Sequence, residues 1–466
     1  MTTAAPATVS ASPAAPSPEF EALLSLRAVT AVFQPVVDLV TDEVVGLEAL
    51  ARGPAASSYA SPTELFAEAR RCGRTAELDW VCRAAAFAAV LDAGLPSSIS
   101  VFVNSEPETL ATPCPADLVP VVSRAESLLR VFVEINDRAI VADPAGLLAA
   151  VDRARTLGWG IAVDDVGSSR APLAMLPVLR ADVVKLDLGL LAERGSADAA
   201  AVVLATLRHV EQTGASLCVE RIETEEDLRW AVALGARYGQ GTLLGPPGPI
   251  AEEYPVLRAP VPLVADSPVD VPGASPLDLL AEAPLRRVDR EQFRSLARAM
   301  AYGSLAAGAA PVVLAGYAAG YLPEVAATFP QDVDALVHVV FAPRVEAEPA
   351  PGVRGVRLPL GDPLTNEPFF VVLTERGVFA VLARFAGGPD AVDVLLTQEP
   401  EVVHAVARHL IRRIPPPGGD GVALPPGVAR ELEDGDADAD PAAPAEPVPD
   451  GSARERGGVF GFGRRR

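Results

Sequence analysis

Polar side chains recur directly after short apolar runs in the first half of this 466-residue chain. Seven carboxylates, two amides and one lysine hold such positions: Glu48, Asn104, Glu134, Asp164, Asp165, Lys185, Asp187, Glu220, Glu223 and Gln240. One acid after a strand is usually a helix N-cap or a loop residue. The repetition along the chain is instead typical of a site built where parallel strands end.

Carboxylates that share one cavity repel each other and must be protonated or neutralised. Oxygen ligands without histidine favour Mg²⁺ or Mn²⁺ over Zn²⁺. The four histidines, at positions 209, 338, 404 and 409, lie in helical or apolar contexts away from the strand ends, and we interpret them as structural. Two metals held by bridging carboxylates suit the in-line hydrolysis of a phosphodiester.

Lysine is almost absent from the chain. The 39 basic residues are all arginine except Lys185, which follows one of the apolar runs. Its position is either chance or a place where a compact ammonium must donate to a metal-bound water or a phosphate.

The elements that must position these residues alternate between strand-like and helix-like patterns over residues 28–250. Such alternation implies parallel strands joined by right-handed crossovers. About eight strands in this length fit a (β/α)₈ TIM-like barrel better than a doubly wound sheet. Thr224 followed by Asp227 predicts a capping box at the start of a helix.

Composition divides the rest of the chain. We expect a disordered leader over residues 1–18, the barrel over 19–250, a linker over 251–284, a smaller α/β domain over 285–414 and a disordered acidic tail with a basic end over 415–466. In the smaller domain, buried strands are predicted at residues 335–341 and 369–373, and an amphipathic helix at 402–411.

Charge and hydropathy exclude several classes of protein. A net charge of -22 argues against a sequence-independent DNA binder, which needs a positive surface. Residues 305–322 carry no charge but are mostly Ala and Gly, so we expect a buried strand with a neighbouring helix rather than stable membrane insertion. Four irregularly spaced cysteines and no signal peptide favour a cytoplasmic location.

Residues 28–250 resemble the EAL-domain phosphodiesterases of bacterial cyclic-di-GMP signalling. The naming motif is Glu48-Ala49-Leu50-Ala51-Arg52, preceded by Phe33-Gln34-Pro35. The other matching motifs are Val103-Asn104, Val133-Glu134-Ile135, Asp164-Asp165, Lys185-Leu186-Asp187, Glu220 with Glu223, and Gln240-Gly241. Their order and spacing agree across the whole range.

The resemblance implies hydrolysis of cyclic-di-GMP to linear pGpG with two Mg²⁺ or Mn²⁺ ions per site, in a homodimer. By the same resemblance, one ion is held by Glu48, Asn104, Glu134 and Asp164, and the second by Asp164, Asp165 and Glu220. Lys185 orients the attacking water, and Glu220 acts either as a base or as a ligand. Arg52, Gln34 and Gln240 contact substrate, and Glu223 supports the catalytic groups.

Three departures from the family pattern concern the support of the site. The loop after the double aspartate reads Val166-Gly167-Ser168-Ser169-Arg170-Ala171-Pro172, Asp137 replaces the usual loop-anchoring glutamate, and Arg221 replaces a small residue. A misplacement of about 1 Å can cost on the order of 100-fold in rate. We therefore expect a slow or conditionally active enzyme. The open alternatives are a receptor that binds cyclic-di-GMP without cleaving it and an interaction module.

Residues 285–414 resemble, less specifically, the DICT sensory domain. The matching stretches are Pro311-Val312-Val313-Leu314, Asp362-Pro363-Leu364, Glu367-Pro368-Phe369-Phe370 and Val394-Leu395-Leu396-Thr397. The resemblance implies regulation of the barrel by an unknown signal or protein partner, and a packing or dimerisation domain is the alternative.

Overall fold

The computed structural model describes residues 14–106, 109, 112–135, 143–167, 171–189, 191, 196–254, 257, 259–264, 275–280, 284–305, 311–317, 335–385 and 391–416. Asp137, most of the predicted leader and nearly all of the predicted tail lie outside these residues. The last residues of the predicted leader are ordered. Ser17 caps the first helix, its Oγ accepting from the Phe20 N–H at 3.1 Å.

A closed barrel forms from the first eight strands, each paired with the next and the last with the first. The strands are β1 (Thr30–Asp38), β2 (Val44–Arg52), β3 (Ser100–Asn104), β4 (Arg130–Ile135), β5 (Gly160–Val166), β6 (Val183–Asp187), β7 (Ser216–Glu220) and β8 (Tyr238–Gly239). The helices around them are α1 (Pro18–Ser25), α2 (Pro62–Arg71), α3 (Thr75–Asp92), α4 (Val119–Leu128), α5 (Pro144–Thr156), α6 (Leu176–Leu179), α7 (Ala197–Thr213) and α8 (Glu225–Ala233). The predicted barrel is confirmed.

One strand departs from the expected all-parallel pairing. β1 runs antiparallel to both β2 and β8, whereas β2 to β8 pair in parallel. Only residues 39–43 connect β1 to β2, and a parallel crossover needs a dozen or more residues. The chain therefore turns back directly as a hairpin.

Most of the predicted site residues lie within strands rather than after them. Glu48 pairs with Gln34 in the β1–β2 ladder, and Asn104 pairs with Glu134 between β3 and β4. In each of these strands the run of apolar residues ends where the side chains of the barrel interior become polar. The hydrogen-bonded pairing of the strand with its neighbours continues beyond that residue. Hydropathy alone therefore places most of these strand ends one or more residues too early.

The strand N-termini of the barrel are closed by part of the predicted linker. Asp182, which is fully buried, accepts hydrogen bonds from the N–H groups of Ile161 and Val264 and from Arg155 Nη1, each at 2.6 Å. Val261 is also fully buried, and its carbonyl accepts from Arg130 Nη2. Val261 and Val264 are thus fixed to the barrel.

Asp182→Ala is expected to lower the free energy of unfolding by about 3 kcal/mol, because it leaves Arg155 and two buried N–H groups without their acceptor. Urea denaturation measures this loss. The control is Asp393→Ala, which removes an exposed pair with Arg287 and should cost less than about 1 kcal/mol. Equal losses in the two variants would contradict the assignment.

A second sheet follows the barrel, with the strand order β12-β11-β10-β13-β14-β15-β9. Its strands are β9 (Arg286–Asp289), β10 (Val312–Gly316), β11 (Val337–Ala342), β12 (Arg354–Arg357), β13 (Phe369–Leu373), β14 (Val378–Phe385) and β15 (Ala391–Thr397). The helices are α9 (Arg290–Leu305) and α10 (Pro400–Ile411). Every residue of β10 is buried, as expected for the uncharged stretch. None of the helices in the described ranges is long and apolar enough to cross a membrane.

The second sheet and its helix α10 contact the barrel beside β5 and β6. α10 packs against α5 and α6. Arg412 of the α10 C-terminus binds Asp152 of α5 through two hydrogen bonds of 3.2 and 3.0 Å. Arg208 Nη1 of α7 donates to the carbonyl oxygen of Glu375 at 2.8 Å.

Two buried histidines at this contact predict a pH-dependent stability. Burial lowers the pKa of His209 to about 4. Burial, with the charges of Arg408 and His209, lowers the pKa of His404 to about 4 as well. The unfolded chain binds protons below its ordinary histidine pKa of about 6.5, where the folded chain does not. Acidification through this window therefore favours unfolding.

Between pH 7 and pH 5, we expect the two imidazoles to lower the free energy of unfolding by about 2 kcal/mol each. Urea denaturation at both pH values measures the change. The double variant His209→Phe/His404→Phe should lose this part of the pH dependence. An unchanged difference between the two pH values in the variant would refute the interpretation.

Candidate metal centre

Lys185 lies at the centre of a ring of carboxylates inside the barrel. Its Nζ is 2.6 Å from Glu134 Oε1, 2.7 Å from Glu220 Oε1, 3.1 Å from Asp164 Oδ1 and 3.2 Å from Glu48 Oε2. The side chain is fully buried. The one lysine of the chain therefore contacts four of the predicted carboxylates at once.

Amide side chains hold two of these carboxylates in place. Asn104 Nδ2 donates to Glu134 Oε2 at 3.1 Å and, more weakly, to Glu48 Oε1 at 3.4 Å. Gln240 Nε2 donates to Glu48 Oε2 and, at 3.2 Å, to Gln34 Oε1. The β1 glutamine and the glutamine after β8 thus orient Glu48 from the other side.

Five carboxylates form two groups that share one member. Glu48, Glu134 and Asp164 each offer an oxygen atom within 4.8 Å of the others, and so do Asp164, Asp165 and Glu220. Asp164 belongs to both groups. This is the arrangement of two neighbouring cation sites bridged by one carboxylate.

A bulge in β5 explains how two consecutive aspartates serve the same cavity. Successive residues of a regular strand point to opposite faces. Here the β5–β6 register shifts between Val163 and Val166, and Asp165 adopts a left-handed conformation with φ of 56°. A bulge re-aims side chains at sites of this kind, so Asp165 turns toward the same opening as Asp164.

The segment after β7 is similarly constrained. Gln240 N–H donates to the Val219 carbonyl, and Ile222 N–H donates to the Gln240 carbonyl. A Cβ atom at Gly241 would lie 2.2 Å from the Ile222 oxygen, so only glycine fits there. This close approach fixes Gln240 beside Glu48.

The electrostatics of the centre favour added positive charge. Burial, together with Glu48, raises the pKa of Glu134 well above its usual range, and burial with Asp164 does the same for Glu220. Burial alone would lower the pKa of Lys185, but the surrounding carboxylates outweigh it and raise that pKa. The carboxylates therefore repel one another more than the single ammonium can offset, and a bound cation would relieve this repulsion.

The donor set fits hard divalent cations. All the candidate ligand atoms are oxygens, as Mg²⁺ and Mn²⁺ prefer. Glu134 Oε1 and Asp164 Oδ1 are buried, and their described partner is the Lys185 ammonium. Buried carboxylate oxygens with only this one partner can also coordinate a metal ion.

Other predicted residues are placed differently. Arg52 is at the end of β2, and its Nη1 donates to the Ala51 carbonyl at 2.8 Å. Glu223 is exposed, and its described hydrogen bond comes from its backbone N–H to Asp227. Asp187 is apart from both carboxylate groups, since it accepts from Arg221 Nε at 2.8 Å and from the Gly189 N–H. Of the altered loop, residues 168–170 are outside the described structure.

A buried ion pair supports the centre and was not predicted. Asp79 and Arg83, one turn apart on α3, are paired at 2.7 Å. Asp79 also accepts from the Glu106 N–H and from Thr109 Oγ1, which fixes the chain directly after Asn104. Two charges on the apolar face of a helix are the sequence signal that could have revealed this pair.

The first half of the chain is similar to known proteins. Residues 19–247 match the family model described as the EAL domain, which confirms the predicted resemblance. "Uncharacterized protein y4lL" of Sinorhizobium fredii is 28% identical over 232 residues, 49% of this chain and 28% of that protein. "Cyclic di-GMP phosphodiesterase PA2567" of Pseudomonas aeruginosa is 29% identical over 221 residues, 46% of this chain and 38% of that protein.

Among solved structures, "PaMucR Phosphodiesterase, c-di-GMP complex" aligns with a TM-score of 0.43 and 25% identity, over 50% of this chain and 96% of that one. The present chain spans less than half the length of the two curated relatives. The resemblance of residues 285–414 to the DICT domain stays a prediction.

Proposed function

We propose that this protein hydrolyses cyclic-di-GMP to linear pGpG with two divalent metal ions, Mg²⁺ or Mn²⁺. The observation that carries the proposal is the pair of carboxylate groups sharing Asp164 around Lys185. The match to the EAL domain and the similarity to a cyclic-di-GMP phosphodiesterase support the choice of substrate.

We assign the metal-binding and water-orienting roles to the following residues. Glu48, Asn104, Glu134 and Asp164 would hold one ion, and Asp164, Asp165 and Glu220 the other. When bound, the ions stabilise the attacking and leaving oxygens of an in-line displacement. The Lys185 ammonium would donate the hydrogen bonds that orient the attacking water, and Gln240, which donates to Glu48, would hold that carboxylate toward the ion.

Substrate contacts are assigned to the rim of the barrel. A guanidinium matches phosphate geometry, so Arg52 would bind the substrate phosphate, and Gln34 and Gln240 would contact the nucleotide. Glu223 would support the catalytic groups, and Asp137 the loop after β5. We place the protein in the cytoplasm as a homodimer whose turnover responds to the second domain through the α10 contacts with α5 and α6.

Incubation of the full chain with cyclic-di-GMP and Mn²⁺ or Mg²⁺, followed by chromatography, tests the proposal. We expect pGpG to form and EDTA to stop its formation. Cyclic-di-GMP binding is measured on the same samples. Absence of both binding and turnover would overturn the proposal.

A receptor function is the second candidate, and Arg221 favours it. This residue directly follows Glu220 in a left-handed conformation with φ of 54°, and its guanidinium is paired with Asp187. Such a change beside a candidate ligand can misalign it enough to suppress turnover. Saturable cyclic-di-GMP binding without pGpG formation would establish the receptor instead of the enzyme.

Glu220→Gln is expected to abolish binding of the second ion, because an amide oxygen lacks the negative charge with which Glu220 adds to Asp164 and Asp165 in attracting a cation. Calorimetric titration with Mn²⁺ should then show one site fewer. Glu226→Gln is the matched control, an exposed glutamate on α8, and should keep both sites. Loss of a site in Glu226→Gln as well would mean that the effect is not specific to Glu220.

A further inference from the structure

A cavity of about 750 Å³ lies between the barrel and the second sheet. On the barrel side it is lined by Leu173, Pro177 and four residues of α7. On the other side it is lined by the β13–β14 hairpin and by His404 of α10. The space is comparable to the pockets that enclose small organic molecules. It is separate from the carboxylates of the barrel, none of which lines it.

Two imidazoles in the cavity wall have unsatisfied hydrogen-bonding atoms. His209 is only 4% exposed, and both of its ring nitrogens are without a hydrogen-bond partner. Nε2 of His404, which is 9% exposed, is also unsatisfied. A buried polar atom without a partner costs roughly 1–3 kcal/mol, so such groups normally have a water, ion or ligand as partner.

The charges around these imidazoles favour an anion. Arg208 and Arg376 line the cavity, and burial, together with the charge of Arg408, lowers the pKa of His404. The single acidic residue in the wall, Glu375, is 3.8 Å from Arg376. Before any imidazole is protonated, the lining therefore carries one more positive than negative charge.

Apolar side chains complete the wall. Leu173 contributes from the barrel, and Val372 and Phe379 contribute from the second sheet. A ligand that fills this space needs an apolar body of moderate size beside its charged group. Inorganic phosphate or sulfate would leave the apolar surface uncovered.

We propose that this cavity binds a small organic carboxylate with an apolar body, whose charged group is held by His209, His404 and Arg376. Such a ligand touches the barrel and the second sheet at once, so its binding joins them. It also contacts the chain that follows the β5 aspartates at Leu173 and Pro177. Binding itself is independent of the proposed phosphodiesterase activity.

Titration calorimetry of the full chain with benzoate and hexanoate tests the proposal. EDTA is present, so that carboxylate binding to metals in the barrel does not contribute. We expect saturable binding and a raised melting temperature. The neutral analogues benzyl alcohol and hexanol should bind at least about ten-fold more weakly, because they cannot form charge-assisted hydrogen bonds.

Variants separate this site from others on the chain. His209→Phe should weaken benzoate binding at least about ten-fold, whereas His338→Phe in β11, the same change away from the cavity, should leave it unaltered. Arg376→Gln, on an exposed turn where folding is not at risk, should also weaken binding. Its control is Arg287→Gln on β9.

Three outcomes would overturn the proposal. The first is no saturable binding of either carboxylate. The second is equal binding of carboxylates and alcohols, which removes the anion requirement. The third is unaltered affinity in both His209→Phe and Arg376→Gln, which places the binding elsewhere.

Discussion

Glu48→Gln is expected to lower the rate of pGpG formation by more than about 100-fold. Mutation of a residue that only hydrogen-bonds to a metal ligand already lowers activity or metal affinity by about 10–100-fold, and Glu48 is a candidate ligand itself. The Glu48 carboxylate belongs to one of the two ligand groups and also contacts Lys185 and Gln240. The amide keeps the shape of the side chain and removes its charge. The fold should therefore persist while the affinity for one metal ion falls.

Chromatographic detection of pGpG measures the rate, and Mn²⁺ titration on the same sample measures the metal affinity. Glu64→Gln, an exposed glutamate on α2, is the matched control and should retain both. A Glu48→Gln protein that binds both ions and turns over at the original rate would remove Glu48 from the metal centre. Loss of turnover together with loss of the melting transition would instead indicate misfolding.

Lys185→Met is expected to destabilise the metal-free protein by about 3–5 kcal/mol, the usual cost of removing one partner from a buried ion pair. Methionine has a similar length but no charge, so Glu48, Glu134, Asp164 and Glu220 lose their shared counter-ion. Divalent cations can replace that charge. Saturating Mn²⁺ should therefore restore much of the lost stability, while turnover stays low because the water is no longer oriented.

Urea denaturation with EDTA and with Mn²⁺ checks this result. Arg83→Met is the matched control, because it breaks a different buried ion pair of the barrel, with Asp79, which is not in either metal group. Its stability loss should not be recovered by Mn²⁺ beyond the gain seen in the unaltered protein. Equal recovery in both variants would mean that Lys185 has no special relation to the metal centre.

Local patterns in the sequence were sufficient for the barrel elements and for most of the candidate site. The capping box of Thr224 and Asp227 is present as predicted, because it depends on residues three apart. The predicted strand at residues 369–373 and the amphipathic helix ending at residue 411 are also confirmed. The carboxylates at strand ends were recognisable because parallel strands bring their C-terminal ends to one face.

Tertiary structure decided which of those carboxylates share a cavity. Asp165 enters the second ligand group through a bulge, whereas Asp187, equally placed in the sequence pattern, is taken up by Arg221. The pattern of apolar and polar residues within one strand shows neither the bulge at Asp165 nor the pairing of Asp187 with Arg221. The antiparallel direction of β1 follows instead from the short connection between β1 and β2. The length of that connection can be read from the sequence.

Contacts between distant segments were beyond any local pattern. Val264, within the predicted linker, is fixed to the barrel by Asp182, from which it is far removed in the sequence. The cavity beside His209 and His404 exists only because α7 and α10 are brought together. The sequence by itself determined the elements and the chemical type of the site, because these depend on neighbouring residues. The pairing of individual charges and the second cavity depend on the packing of segments far apart in the chain, and only the folded structure decided them.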